Sequence, residues 1–190
     1  MRPFFSIWIK PKETFKYLAE KEIDDTKINI DYLFAFIALS IALPSLVDIS
    51  KLVENFRIFG YIFFTFAIGA IGVIIFKFVH SFIIFGISKL LQGKASIYEI
   101  RLVLAYSLIP NLIHLIIGLI LIIPAIMTEN FNLVFYRHPL TLFVVWIFTV
   151  RNLIFGLSYF NKFSYGYAVL NLVIPTAIVE AIYLLTKYLI

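Results

Sequence analysis

Nine polar or ionisable side chains stand inside stretches otherwise built of Ile, Leu, Val and Phe: Lys77, His80, Ser107, Asn111, His114, Arg151, Asn152, Asn171 and Glu180. An ionised group at the centre of a bilayer costs about 3 kcal/mol or more unless it pairs or meets water. Each of these residues is therefore a candidate for a structural tie or for a binding site. Ser107, Asn111 and His114 follow at i, i+4 and i+7, so one helix carries them on one face. Glu180 is the single deep acid, and the spacing predicts that it pairs with Arg151 or Lys77 in a buried polar layer shared by four helices. Three chemistries suit such a layer. One is a salt bridge with hydrogen bonds that hold a bundle together. Another is a site for a lipid headgroup, ion or small anion, because two cations to one acid leave net positive charge. The third is a proton relay through His80 or His114.

Catalysis finds no foothold. There is no cysteine, and three scattered histidines do not make a metal site. The chain has no H-E-x-x-H, no phosphate-cradling glycine loop and no nucleophile elbow. A non-enzymatic protein without catalytic residues, metal or cofactor is expected.

The elements that must position the polar layer are helices in a membrane. Of 190 residues, 62% are hydrophobic and 14% charged, against roughly 25% charged in a soluble domain. The mean hydropathy is +0.99. Several apolar runs reach the ~20 residues that cross ~30 Å of hydrocarbon, and none alternates as a barrel strand must. The fold class is an all-α, polytopic integral membrane helical bundle. The net charge of +5 gathers at the ends of the apolar runs, as topology determinants do, and no nucleic-acid platform accompanies it.

Residues 1–28 read as an interfacial amphipathic segment. Pro11 suits the first position of a helix, and Phe15, Leu18 and Ala19 share a face apart from Lys12, Glu13, Lys16 and Glu20. Residues 29–190 form one membrane domain of five spans: Asp31–Val47, Ile58–Leu91, Ile97–Ile126, Pro139–Phe160 and Gly166–Tyr188. No cleaved leader is expected, and the first span serves as an anchor. The second run, about 34 residues or ~50 Å as a helix, is too long for one upright span, so it must tilt, project or break near Gly69–Gly72. Thr65, Gly69 and Gly72 also permit close helix packing within the chain. Ten Lys and Arg residues (Arg2, Lys10, Lys12, Lys16, Lys21, Lys27, Lys89, Lys94, Arg101 and Lys162) lie on one side and four (Lys51, Arg57, Arg137 and Lys187) on the other. That excess predicts a cytoplasmic N-terminus.

The joint between the second and third spans is the most legible stretch. Gly93 is expected in the left-handed conformation that closes a helix, and Ser96 with Glu99 forms an S-x-x-E capping box. Pro110 then interrupts the third span and releases the Tyr106 carbonyl.

With these residues in place, the chain resembles the Yip domain family, small membrane proteins named for interaction with Ypt/Rab GTPases in eukaryotes. Pro11, Phe15 and Leu18 are similar to its P-x-x-x-F-x-x-hydrophobic segment. Gly93, followed by Ala105–Tyr106–Ser107–Leu108–Ile109–Pro110, resembles its polar turn and G/A-Y-S-hydrophobic-hydrophobic-P motif. The likeness is to prokaryotic-type members: the long cytosolic region with its D-L-Y-G-P motif is absent, and Ala105 stands where eukaryotic members often have Gly. The resemblance implies five spans with a cytoplasmic N-terminus in the cell membrane. It also implies a membrane-organising or trafficking scaffold whose partners are lipids, a protein at the cytoplasmic face, or a second copy. A small transporter or lipid-translocating protein that uses the polar layer is the competing reading.

Overall fold

The computed structural model describes residues 2–21, 23–42, 57–128, 130, 133 and 138–189. Pro44, residues 48–56 and most of 129–137 lie outside the described residues. Among the described residues every regular element is helical: α1 (Pro3–Ile9), α2 (Pro11–Ala19), α3 (Ile23–Ala42), α4 (Arg57–Ile74), α5 (Ser81–Leu90), α6 (Ile97–Ser107), α7 (Leu112–Met127), α8 (Pro139–Asn161) and α9 (Tyr165–Leu189). A π-helical stretch, Ile75–His80, joins α4 to α5, and a 3-10 turn, Ile109–Asn111, joins α6 to α7.

Among the described residues, three segments are long and apolar enough to cross a membrane: Phe66–Leu90, Ile97–Leu121 and Pro139–Asn161. Shorter apolar helices cover Ile30–Ile41 and Tyr165–Ile178. Burial separates the long ones. In its most apolar stretch Ile97–Leu121 is 61% buried, against 17% and 33% for the other two. The burial concentrates in α6, which forms the axis, while α7 and the other long helices present apolar faces outward. In lipid those outward faces lose nothing, since the solvent there is itself hydrocarbon. The core centres on α6 through Ile100, Val103, Leu104, Ala105 and Tyr106, with Phe34, Ile84 and Leu157 packed around it.

Small residues set how closely the helices approach. A Cβ on Gly72 would lie 3.0 Å from that of Ala38, and one on Gly69 would lie 3.0 Å from Leu39 Cδ2. These glycines hold α4 against α3 within the same chain. They do not break the long run, whose interruption falls further on, at Ile75–His80. A glycine needed for close approach is best held in regular helix, and both are.

Of the apolar face read from α2, Phe15 and Leu18 are buried against other helices, whereas Ala19 is exposed. Phe15 is fully buried and packs edge-on to Phe160 at 6.2 Å between ring centroids. Gly156 makes room for it, because a Cβ there would come 2.6 Å from Val103 Cγ1 and 2.9 Å from Phe15 Cζ. Thr14 and Ser6 join α2 to α1 by a 2.8 Å hydroxyl hydrogen bond. The first helix, absent from the sequence reading, thus folds back on the second to form a docked hairpin. Helix α3 runs on through residue 28.

Replacing Gly72 with Val should overpack the α3–α4 contact and destabilise the protein by about 1–3 kcal/mol. Gly86→Ala, where nothing lies within 4 Å of the new methyl group, should be neutral or mildly stabilising. Thermal melts of the two variants in detergent check this pair.

Candidate functional site: polar ties at membrane depth

Arg151 sits ten residues before the end of α8 and reaches the first helix of the chain. Its Nη2 donates to the carbonyl of Trp8 at 2.7 Å and to that of Ile7 at 3.3 Å. Nη2 and Nε also donate to Asn152 Oδ1, at 3.2 and 3.4 Å. The guanidinium lies 4.7 Å from the Phe148 ring, which packs against Trp8 at 5.5 Å. The last carbonyls of any helix have no partner within it and carry the negative end of its dipole. The seven-residue α1 ends here, and Arg151 caps it.

The expected acid for Arg151 is therefore replaced by backbone. Glu180 is exposed on α9 and makes no ion pair with Arg151 or Lys77 among the described residues. The partner of Lys77 is Asp31, with Nζ 2.7 Å from Oδ1. Helices α3 and α4 run antiparallel with Ala38 opposite Gly72, and following both from that contact brings Asp31 to Lys77. In the sequence Asp31 stands at the edge of a span, where a carboxylate is ordinary and gives no sign of this pairing.

Lys77 lies in the π-helical stretch, where the looser winding changes which carbonyls find helical partners. Two side chains serve them. Ser81 Oγ donates to Phe76 O at 3.1 Å, and Arg101 Nε donates to Lys77 O at 3.0 Å. Arg101 also lies over the rings of Phe78 and Phe82, at 5.1 and 5.6 Å. His80 stacks on Phe76 with centroids 6.2 Å apart and stays half-buried.

Pro110 interrupts the third span as the sequence predicts, and Asn111 closes the break. The Asn111 backbone N–H donates to Leu108 O at 2.9 Å. Its side-chain Nδ2 reaches the same carbonyl at 3.2 Å and Thr149 Oγ1 on α8 at 3.3 Å. The 3-10 turn divides the expected polar face. Ser107 is fully buried in the core, whereas Asn111 and His114 join Thr149 in a groove of about 460 Å³ between α7 and the first half of α8. Leu108, Val145 and Trp146 supply apolar walls. Asn152 is likewise fully buried, facing Arg151 rather than the groove.

The family-type turn is built differently from expectation in one respect. Its capping box is complete: Ser96 N–H donates to Glu99 Oε2 at 2.7 Å, and Glu99 N–H donates to Ser96 Oγ at 3.2 Å. The left-handed residue, however, is Gln92 at φ 64°, not Gly93. Gly93 is required by crowding, since a Cβ would strike Asn161 Oδ1 and lie 2.8 Å from both Phe163 Cζ and Ser88 O. Asn161 ties this turn to the end of α8. Its Oδ1 accepts from Ala95 N–H at 3.3 Å, its backbone carbonyl accepts from Lys94 N–H at 3.3 Å, and its Nδ2 donates to Ser88 Oγ at 3.3 Å. Asn171 on α9 donates to the same Ser88 hydroxyl. Ser88 and Asn161 escaped the sequence reading because both lie near span ends, where polar residues are ordinary.

No cluster of His, Asp or Glu among the described residues could hold a metal ion. What the geometry defines is an all-α membrane protein whose deep polar groups tie helices and turns together. The chain matches the Yip1 domain over residues 5–186, nearly its whole length, and belongs to that family. No curated protein and no solved structure matches it.

A double-mutant cycle between Asp31→Asn and Lys77→Gln should give a coupling of about 0.5–1 kcal/mol in thermal stability, modest because the Asp31 side chain is half exposed. The corresponding cycle with Glu180→Gln should give none.

Proposed function

We propose that this Yip1-family chain is a non-enzymatic scaffold of the cell membrane that organises its surroundings by gathering lipids and partner proteins. In this reading the shorter apolar helices Ile30–Ile41 and Tyr165–Ile178 join the three long segments as crossings, and the positive-charge excess supports a cytoplasmic N-terminus. One observation carries the reading: the deep cations are engaged within the protein. Arg151 caps α1, and Lys77 holds Asp31. A transporter needs such groups to face a passage and to exchange partners during a cycle, whereas a scaffold needs only that they hold the frame.

The docked N-terminal hairpin supports a protein partner at the cytoplasmic face. With Phe15 and Leu18 turned inward, α2 presents Lys12, Glu13, Lys16 and Glu20 outward as a rigid polar surface. The competing reading, lipid translocation, draws on the groove beside Asn111, His114 and Thr149, which places hydrogen-bonding groups within reach of membrane lipid.

Reconstitution in liposomes with a fluorescent phospholipid and an interior pH dye separates the two. The scaffold predicts lipid exchange between leaflets and proton leak no faster than in protein-free vesicles. Exchange that is accelerated by the wild type and abolished by Asn111→Leu in a folded protein would overturn it in favour of translocation.

A further inference from the structure

At the end of the bundle where α5 and α8 finish, the 91–96 turn and the 161–164 turn enclose a cleft of about 480 Å³. Two lysines, Lys94 and Lys162, line it together with Gln92 and Ser164, and among the described residues no carboxylate does. Neither lysine has an ion pair among the described residues, and both are exposed. The nearest acid in sequence, Glu99, is held in the capping box by Ser96. Lys162 lies 4.5 Å from the Tyr159 ring. The 25-residue α9 begins beside the cleft, with Ser164 Oγ accepting from Tyr167 N–H at 3.5 Å, so its positive dipole end adds to the field of the lysines.

The other wall is apolar: Leu90, Leu91, Phe163 and Tyr167. Leu90 is 79% exposed and Tyr167 51%, so this wall continues into the outward face of the bundle. Leu90 ends one membrane-crossing segment and Asn161 ends another. The cleft therefore lies at the boundary of the hydrocarbon, where lipid phosphates lie. Gln92 and Lys162, both left-handed at φ 64° and 58°, flank it. The Asn161–Ser88–Asn171 hydrogen bonds fix the two turns relative to each other, so the lysines are mounted on a rigid base.

We infer that this cleft binds the phosphate of an anionic membrane phospholipid, with Lys94 and Lys162 on the headgroup and the Leu91–Phe163 wall against the upper acyl chain. A zwitterionic headgroup would bring its own cation against two lysines without a counter-charge, so an anionic lipid is preferred. The inference names a ligand for the proposed scaffold and rests on that reading.

The test is native mass spectrometry of the full-length protein in a mild detergent, titrated with phosphatidylglycerol or phosphatidylcholine. Wild type should bind phosphatidylglycerol in preference, and Lys94→Gln/Lys162→Gln should lower its occupancy about tenfold or more at equal lipid. Arg2→Gln/Lys21→Gln, which removes the same charge from exposed positions elsewhere, should behave as wild type. Unchanged thermal melts show that the cleft variant is folded, as expected for exposed side chains outside the helices. Wild-type phosphatidylglycerol occupancy in the cleft variant would overturn the site. Displacement of bound lipid by millimolar inorganic phosphate would overturn the lipid assignment in favour of free phosphate. Leaflet exchange by reconstituted protein, by contrast, would overturn the scaffold and leave this lipid preference standing.

Discussion

A backbone group without a hydrogen bond costs several kcal/mol in hydrocarbon, so every interruption of a helix at membrane depth must be closed by protein. This chain interrupts its helices repeatedly, and at four of the described interruptions a polar side chain supplies the hydrogen bonds. Arg151 takes the terminal carbonyls of α1, while Arg101 and Ser81 take carbonyls of the π-helical stretch. Asn111 closes the Pro110 break, and Asn161 closes the turn after α5. Of the polar residues that look like a reactive layer in the sequence, Arg151 and Asn111 are the counterparts of broken helix.

That constraint explains the order of the fold. With α6 as the axis, α2 and α8 can approach it only where Gly156 leaves room for Phe15. The approach then sets α1 beside α8, where Arg151 is long enough to reach its carbonyls and stack on Phe148. Charge and packing act on the same joint. Removing Arg151 would leave the α1 carbonyls without a donor, while removing Phe15 would leave a void where α2 docks. A frame closed in this way suits a protein that presents surfaces more than one that alternates between open states.

Much of the architecture was legible from the sequence. Apolar runs of known length gave the helices, S-x-x-E gave the start of α6, and Pro110 gave the break before α7. The amphipathic face of α2 was legible too, but periodicity cannot tell a face against lipid from a face against helices. Partners were less legible. Glu180 appeared as the natural partner because it was the only deep acid, whereas the actual partners were Asp31 at the edge of a span and a backbone that carries no sequence signature. Gly93 was found for the wrong reason: glycine serves turns both through its backbone freedom and through its lack of a side chain, and spacing alone does not separate the two. The π-helical stretch at Ile75–His80 has no local signal in an unbroken apolar run, and only the need to satisfy its carbonyls with Ser81 and Arg101 marks it.

The central claim is that deep cations serve the protein's own backbone, and amide hydrogen exchange over residues 3–10 tests it most directly. In Arg151→Gln, measured in the full-length protein in detergent, exchange in this segment should rise by about tenfold or more, following the loss of charge-assisted hydrogen bonds to the end of α1. Glu180→Gln should leave it at the wild-type rate. Wild-type protection of α1 in Arg151→Gln, with protection lost in Glu180→Gln, would contradict the account and restore the carboxylate as the partner that matters.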